Sequence, residues 1–282
     1  MYAAGFYPFP SEEARWGYWS KHALLNRFDP PALPLYQELY SIVKDKDYFV
    51  LTTNVDHQFY KAGFSAEKIF ATQGDYGEIQ CQRGCHPKTY DAEELFRKMD
   101  ARRRDCLIPS ELVPKCPVCG GNMTMHLRCD NYFVEDEQWH EAADRYADFL
   151  DRNQSKKVVL IELGVGFNTP IIIRFPFEKL VREHATYRLL RLNMDEAVVP
   201  EGFGNRAIGI SGDREADRMT QSERREYLIQ YLLKEERRLY GKKMPADKQG
   251  QENLLRSLMN VRLPKPISGD FLKIQDEYLK ER

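Results

Sequence analysis

Six cysteines are the residues of this sequence best suited to chemistry: Cys81, Cys85, Cys106, Cys116, Cys119 and Cys129. Four fall in two close pairs, CQRGC (81–85) and CPVCG (116–120), with 30 residues between the inner members. Two such pairs on turns can offer four thiolates to a tetrahedral Zn2+ ion. Gly84 and Gly120 suit those turns. The predicted ligands are therefore Cys81, Cys85, Cys116 and Cys119. Four protein ligands leave no position for water, so the ion would staple the chain and not catalyse. Ordinary reduced thiols and a redox CxxC are the other readings, although a redox motif needs no second pair. His86 and His126 are substitute ligands that complete cysteine pairs do not require. Cys106 and Cys129 are expected as buried small side chains or bystanders.

A second group of polar residues follows short apolar runs. TTNVD (52–56) follows YFVL, Gln73-Gly74 follows KIFAT, and Asn193 follows TYRLLRL. Gly164 and Gly166 end the run KVVLIELGVG, and Thr169-Pro170 beyond them reads as a helix cap and first-turn proline. In an open parallel sheet, ligands bind beyond the carboxyl ends of the strands. Each residue alone is also what an ordinary turn uses. The full GxGxxG pattern is absent, so the glycines fit a tight turn as well as a nucleotide site. The case for a cleft rests on the number of such strand ends.

The elements that must position these groups can be read from periodicity. Helices are predicted over 11–28, 32–44, 56–63, 135–152 and 176–184. Strands are predicted at 48–54, 68–73, 157–166, 186–193 and 206–211. The uninterrupted apolar run at 157–166 predicts a strand buried on both faces. Residues 76–135 read as irregular, with too few apolar residues to fold without a metal. After about residue 219 the texture becomes helical and charged, with helices at 222–241, 252–260 and 271–282. The alternation predicts an α/β fold built on a Rossmann-like parallel sheet, with a small zinc-binding insertion and an all-helical tail.

The bulk properties narrow the partners. The chain has 282 residues, 42% of them hydrophobic, with 42 basic and 43 acidic side chains and a net charge of −1. That balance does not favour nucleic acid. No apolar run approaches the roughly 18 residues of a membrane helix. No signal peptide follows Met1, and clustered cysteines in such a chain suggest a cytoplasmic metal site.

Taken together the motifs resemble the sirtuin family over roughly residues 1–218. TTNVD is similar to its nicotinamide-ribose motif, and Gln73-Gly74 falls where the family carries a catalytic His-Gly. The cysteine pairs follow, as in its zinc module. Gly164-Val165-Gly166 occupies its nucleotide loop, and Asn193 its adenosine-binding asparagine. The resemblance implies NAD as cofactor. It implies Thr53, Asn54, Asp56, Gly164, Gly166 and Asn193 as cofactor-binding residues, and Asn54, Asp56 and Gln73 as the catalytic set. The implied organisation is a catalytic domain at 1–219, with the zinc module at 76–135, and a tail at 220–282. The family opens with a strand and a GAGxS phosphate loop. Here MYAAGFYPFPSEEARWGYW aligns downstream of that motif, so the first strand of the sheet is expected to be missing.

Glutamine in place of histidine narrows the resemblance to the macrodomain-linked, class M sirtuins, which are protein ADP-ribosyltransferases. That subgroup implies two partners, a lipoyl-carrier protein of the glycine cleavage H type as acceptor and a macrodomain ADP-ribosyl hydrolase. Residues 254–279 resemble the leader of that hydrolase, so the chain is expected to be a piece of a fused gene. The chemistry points the same way. Deacylation needs a base to deprotonate a ribose hydroxyl, which histidine supplies near neutral pH. Glutamine can only donate and accept hydrogen bonds. Two competing readings are a non-catalytic binding protein and an NAD-dependent deacylase.

Overall fold

The computed structural model describes residues 2–167 and 170–211. The tail helices expected beyond 219, the leader-like segment 254–279 and the expected Thr169 cap lie outside the described residues.

The first helix, α1 (Glu12–Ala23), starts at Ser11, whose hydroxyl accepts from the Ala14 N–H. It runs into one π-helical turn, Leu24–Phe28. Helix α2 (Pro34–Val43) has its proline in the first turn. Strand β1 (Val50–Thr52), helix α3 (Gln58–Lys61) and strand β2 (Ile69–Ala71) then form a small parallel crossover unit, with Val50 beside Ile69 and Thr52 beside Ala71.

Residues 74–127 depart from the irregular segment expected there. Strands β3 (Gly74–Cys81), β4 (Thr89–Asp91) and β5 (Met123–Leu127) make an antiparallel sheet in the order β4-β3-β5, and helix α4 (Glu93–Arg102) crosses from β4. The strand period of β3 is broken by a register shift between Asp75 and Ile79. Its main partner lies more than 40 residues away, which hides the pairing from local pattern. The module is also richer in core than expected. Ile79, Phe96, Met99, Met123 and Met125 pack with Trp16, Trp19 and Ala23 of α1 into one buried cluster.

Helix α5 (Glu137–Asp151) lays Trp139 and Tyr146 against Phe70 of β2, with Trp139 edge-on at 5.0 Å. Strand β6 (Val159–Leu163), helix α6 (Arg174–Glu183) and strands β7 (Arg188–Asn193) and β8 (Ala207–Ser211) follow, the three strands parallel and in sequence order. The α/β class with parallel strands is therefore observed, in two ladders among the described residues, β1-β2 and β6-β7-β8. Leu51 of β1 packs against the apolar cluster of the second ladder.

Two local expectations are corrected. Strand β6 is not buried on both faces: Leu160 and Glu162 point inward, whereas Val159, Ile161 and Leu163 are 60%, 38% and 38% exposed. The inward Glu162 is 0% exposed and meets Arg191 of β7 through two hydrogen bonds of 2.6 and 3.0 Å. Glu178 of α6 adds a third at 2.9 Å, so a buried ion triad holds helix to sheet. Helix α6 begins at Arg174 and not at Pro170, whose stretch to Ile173 is a turn. The cause is Arg174, a buried side chain that donates to the carbonyls of Val165, Glu196 and Val198 and folds the loop around itself before the helix starts.

Candidate functional site

The four paired cysteines converge. Their sulfurs all lie within 4.8 Å of one another, with Cys81–Cys119 at 3.7 Å and Cys85–Cys116 at 3.6 Å. A tetrahedral zinc with about 2.3 Å bonds sets its sulfurs about 3.8 Å apart, whereas a disulfide needs about 2.05 Å. The donor set thus fits Zn2+. Electrostatics point the same way. Burial raises the Cys81 thiol, but the N–H groups of Cys85 and Arg83 outweigh it and bring it down to about 6. Desolvation, then the neighbouring thiols, push Cys85 upward. Four thiolates at this spacing need a cation between them.

His126 is not a ligand: its ring is held by Glu78 at 2.9 Å and the Val134 carbonyl at 2.9 Å. His86 is closer, with Nδ1 3.1 Å from the Cys85 sulfur and Nε2 2.8 Å from the Tyr90 hydroxyl. Cys106 and Cys129 are exposed bystanders outside the cluster, not buried small side chains.

The ends of β1 and β2 bring TTNVD and Gln73 together. Thr52 and Thr72 join the two strands, the Thr72 N–H and hydroxyl both donating to the Thr52 carbonyl at 3.0 and 3.3 Å. The Thr52 hydroxyl accepts from the Asn54 N–H at 3.0 Å and starts the turn. Thr53 is half-buried within it, and Asn54 is exposed. Asp56 accepts from the Gln58 N–H at 3.1 Å, two residues on, in a local turn just before α3. Gln73 donates its amide to the carbonyl and hydroxyl of Thr72 at 3.2 and 3.3 Å. Gly74 behind it has φ +94°, and a Cβ there would lie 1.9 Å from the His126 carbonyl oxygen. Only glycine allows that approach.

Four participants were not legible as site residues. Tyr36 of α2 takes a 2.9 Å hydrogen bond from the Asn54 amide. Arg128 donates to the Thr72 carbonyl at 3.2 Å from its side chain and to the Gln73 carbonyl at 3.1 Å from its backbone. His57 and Asp75 pair at 2.6 Å. The one available signal for His57 was its place beside Asp56; its left-handed backbone, φ +64°, is unusual for a side-chain-bearing residue. Burial tends to raise the Asp75 carboxyl, but hydrogen bonding to His57 and the charge of Arg27 hold it below its ordinary value.

The glycine turn forms a second group with Asn193. Gly164 has φ +66°, and Asn193 donates to the Val165 carbonyl at 3.1 Å. The Asn193 carbonyl oxygen also accepts from the N–H groups of Asp195 and Glu196. Gly166 lies against Glu196, whose carboxylate accepts from the Phe167 N–H at 2.9 Å. Asn193 therefore shapes the turn with both ends of its side chain.

The ends of two parallel strands thus carry TTNVD and Gln73, with the four-cysteine cluster and the glycine turn following in sequence. No protein-family model matches the chain. A protein ADP-ribosyltransferase of Staphylococcus aureus is 33% identical over 214 residues, 76% of this chain and 68% of that protein. The chain belongs to the family of this protein ADP-ribosyltransferase. A probable bifunctional ADP-ribose hydrolase/ADP-ribosyltransferase of Fusarium oxysporum is 33% identical over 208 residues, 70% of this chain and 34% of that protein. A protein-ADP-ribose hydrolase of Treponema medium is 56% identical over 63 residues, 22% of this chain and 24% of that protein. A crystal structure of a Sir2 homologue with NAD aligns over 65% of this chain and 61% of its own length, at 16% identity and a TM-score of 0.41. No helix of the described residues is long and apolar enough to cross a membrane.

Proposed function

We propose that this chain transfers ADP-ribose from NAD to a nucleophilic side chain of a protein, releasing nicotinamide. The observation that carries the reading is Gln73, held at the Gly74 turn beside the TTNVD loop. In the reaction the bond from ribose C1′ to nicotinamide breaks, and nicotinamide leaves with its electron pair. The acceptor supplies the pair for the new bond and gives up its proton to solvent. The intermediate ribose is oxocarbenium-like, so positioning and electrostatics matter more than a base.

Asn54 is assigned to the ribose and the space around C1′, with Thr53 and Asp56 completing the ribose side. Gln73 orients the ribose hydroxyls without deprotonating them. Gly164, Gly166 and Asn193 are assigned to the adenosine side, Asn193 by holding the turn. The four cysteines hold a structural zinc that stiffens the sheet on which Gly74 sits.

The proposed acceptor is a lipoyl-carrier protein of the glycine cleavage H type, in the cytoplasm. The proposed functional partner is a macrodomain ADP-ribosyl hydrolase that reverses the mark. Likeness to a protein-ADP-ribose hydrolase over 63 residues supports a link between the two activities. Labelled NAD incubated with the chain and the carrier tests the reading. Label on the carrier is expected, and its loss in Asn54→Ala and Gln73→Ala. Full activity in both variants overturns the assignment.

A further inference from the structure

The side-chain amide of Asn54 has two nearly isosteric ends, a donor and an acceptor, and its neighbours decide which end faces outward. The neighbour here comes from another element. Tyr36, in the first turn of α2, accepts a hydrogen bond from Asn54 Nδ2 at 2.9 Å. The charge of Asp56, two residues beyond Asn54, acts on the same phenol and resists its ionisation. With its NH2 on the Tyr36 hydroxyl, the amide is anchored at that end. Its Oδ1 is then the end left for a ligand.

Tyr36 is itself fixed. Its ring stands edge-on to Phe59 with centroids 4.9 Å apart. The entry to α2 is tied to α3 through buried Gln58, which accepts from the Leu33 N–H at 2.9 Å and donates to the Pro31 carbonyl at 3.2 Å. Burial, and then the charge of Asp56, hold the phenol above its ordinary value, which keeps it a neutral donor and acceptor.

We propose that Tyr36 is a positioning residue for ADP-ribosyl transfer, which locks the Asn54 amide with Oδ1 toward the reacting ribose. The inference rests on the assignment of Asn54 to NAD cleavage. A hydroxyl or water near C1′ would then donate to Oδ1, and misorientation of that group would slow the chemical step more than it weakens binding.

The test compares nicotinamide release from NAD by the full chain and by Tyr36→Phe, Asn54→Ala and the double variant. Phenylalanine keeps the ring contact with Phe59, and an unchanged zinc content and melting curve verify the fold. Tyr36→Phe is expected to lower kcat about ten- to hundredfold with KM for NAD within about twofold. The double variant should be no slower than Asn54→Ala alone. Wild-type kcat in Tyr36→Phe, a raised KM with unchanged kcat, or multiplicative losses in the double variant would each overturn the inference. Full activity in Asn54→Ala would overturn the assignment of Asn54 itself, and the inference with it.

Discussion

His57 and Asp75 join the two halves of the candidate site. Nδ1 of His57, the residue after Asp56, donates to a carboxylate oxygen of Asp75 at 2.6 Å, and Asp75 stands two residues beyond Gln73. Arg27 reaches the other carboxylate oxygen at 2.9 Å, and the Gly77 N–H donates to it at 2.6 Å. His57 stacks on Tyr60 with centroids 4.1 Å apart. The loop carrying Asn54 and the strand behind Gln73 are thereby clamped.

This clamp depends on pH. The Asp75 carboxyl is lowered below its ordinary 3.8 in the folded chain. Its contribution to stability is therefore complete above that value and is lost as pH falls through the folded pKa. Asp75→Asn should flatten the acid limb of the stability profile, with a loss of about 1–3 kcal/mol at neutral pH because the partly buried Arg27 loses its charged partner. Urea unfolding at pH 3, 5 and 7 checks this. An unchanged acid limb would remove Asp75 from the account.

Gly74→Ala and Gly164→Ala should differ. Both glycines have positive φ, at +94° and +66°, but only Gly74 lacks room for a Cβ. Alanine at 164 should cost about 1–2 kcal/mol from backbone strain. Alanine at 74 must also displace the His126 carbonyl, so its melting temperature should fall much further, and transfer should fall with it. Equal losses in thermal scans would contradict the geometry.

Metal removal should unfold more than a loop. The zinc module shares its core with Trp16, Trp19 and Ala23 of α1. A strong chelator, or Cys116→Ser, should lower the melting temperature by about 10 °C or more. One zinc per chain should be measured in the untreated protein. Cys106→Ser and Cys129→Ser should retain it.

Arg191→Met should cost about 3–5 kcal/mol, because Glu162 would stay charged and buried without its partner, while Glu178 keeps Arg182. Replacing Glu162 by Leu in the same chain should recover part of that loss. Denaturant titrations of the single and double variants measure both.

Most elements outside the zinc module were legible because local pattern determined them. The apolar face of 32–44 with its early proline became α2, and the runs at 186–193 and 206–211 became β7 and β8. The antiparallel sheet was not legible, since β3 pairs with a strand across an intervening helix and loop. The exposed face of β6 was hidden for another reason. Val159, Ile161 and Leu163 are as apolar as a doubly buried strand requires, so composition alone does not reveal the open face. Within the site, the cysteine spacing predicted the cluster. Tyr36 carried no motif, because its role arises from the packing of α2 against α3.

The central claim, that Gln73 marks a transferase, is tested most directly by a single incubation. The full chain, labelled NAD, a lipoyl-carrier protein and an acylated peptide are combined, and label on protein, free nicotinamide and acyl loss are followed together. The account predicts label on the carrier matched by nicotinamide release, intact acyl groups, and loss of label in Gln73→Ala. Acyl removal without labelling of protein would contradict it.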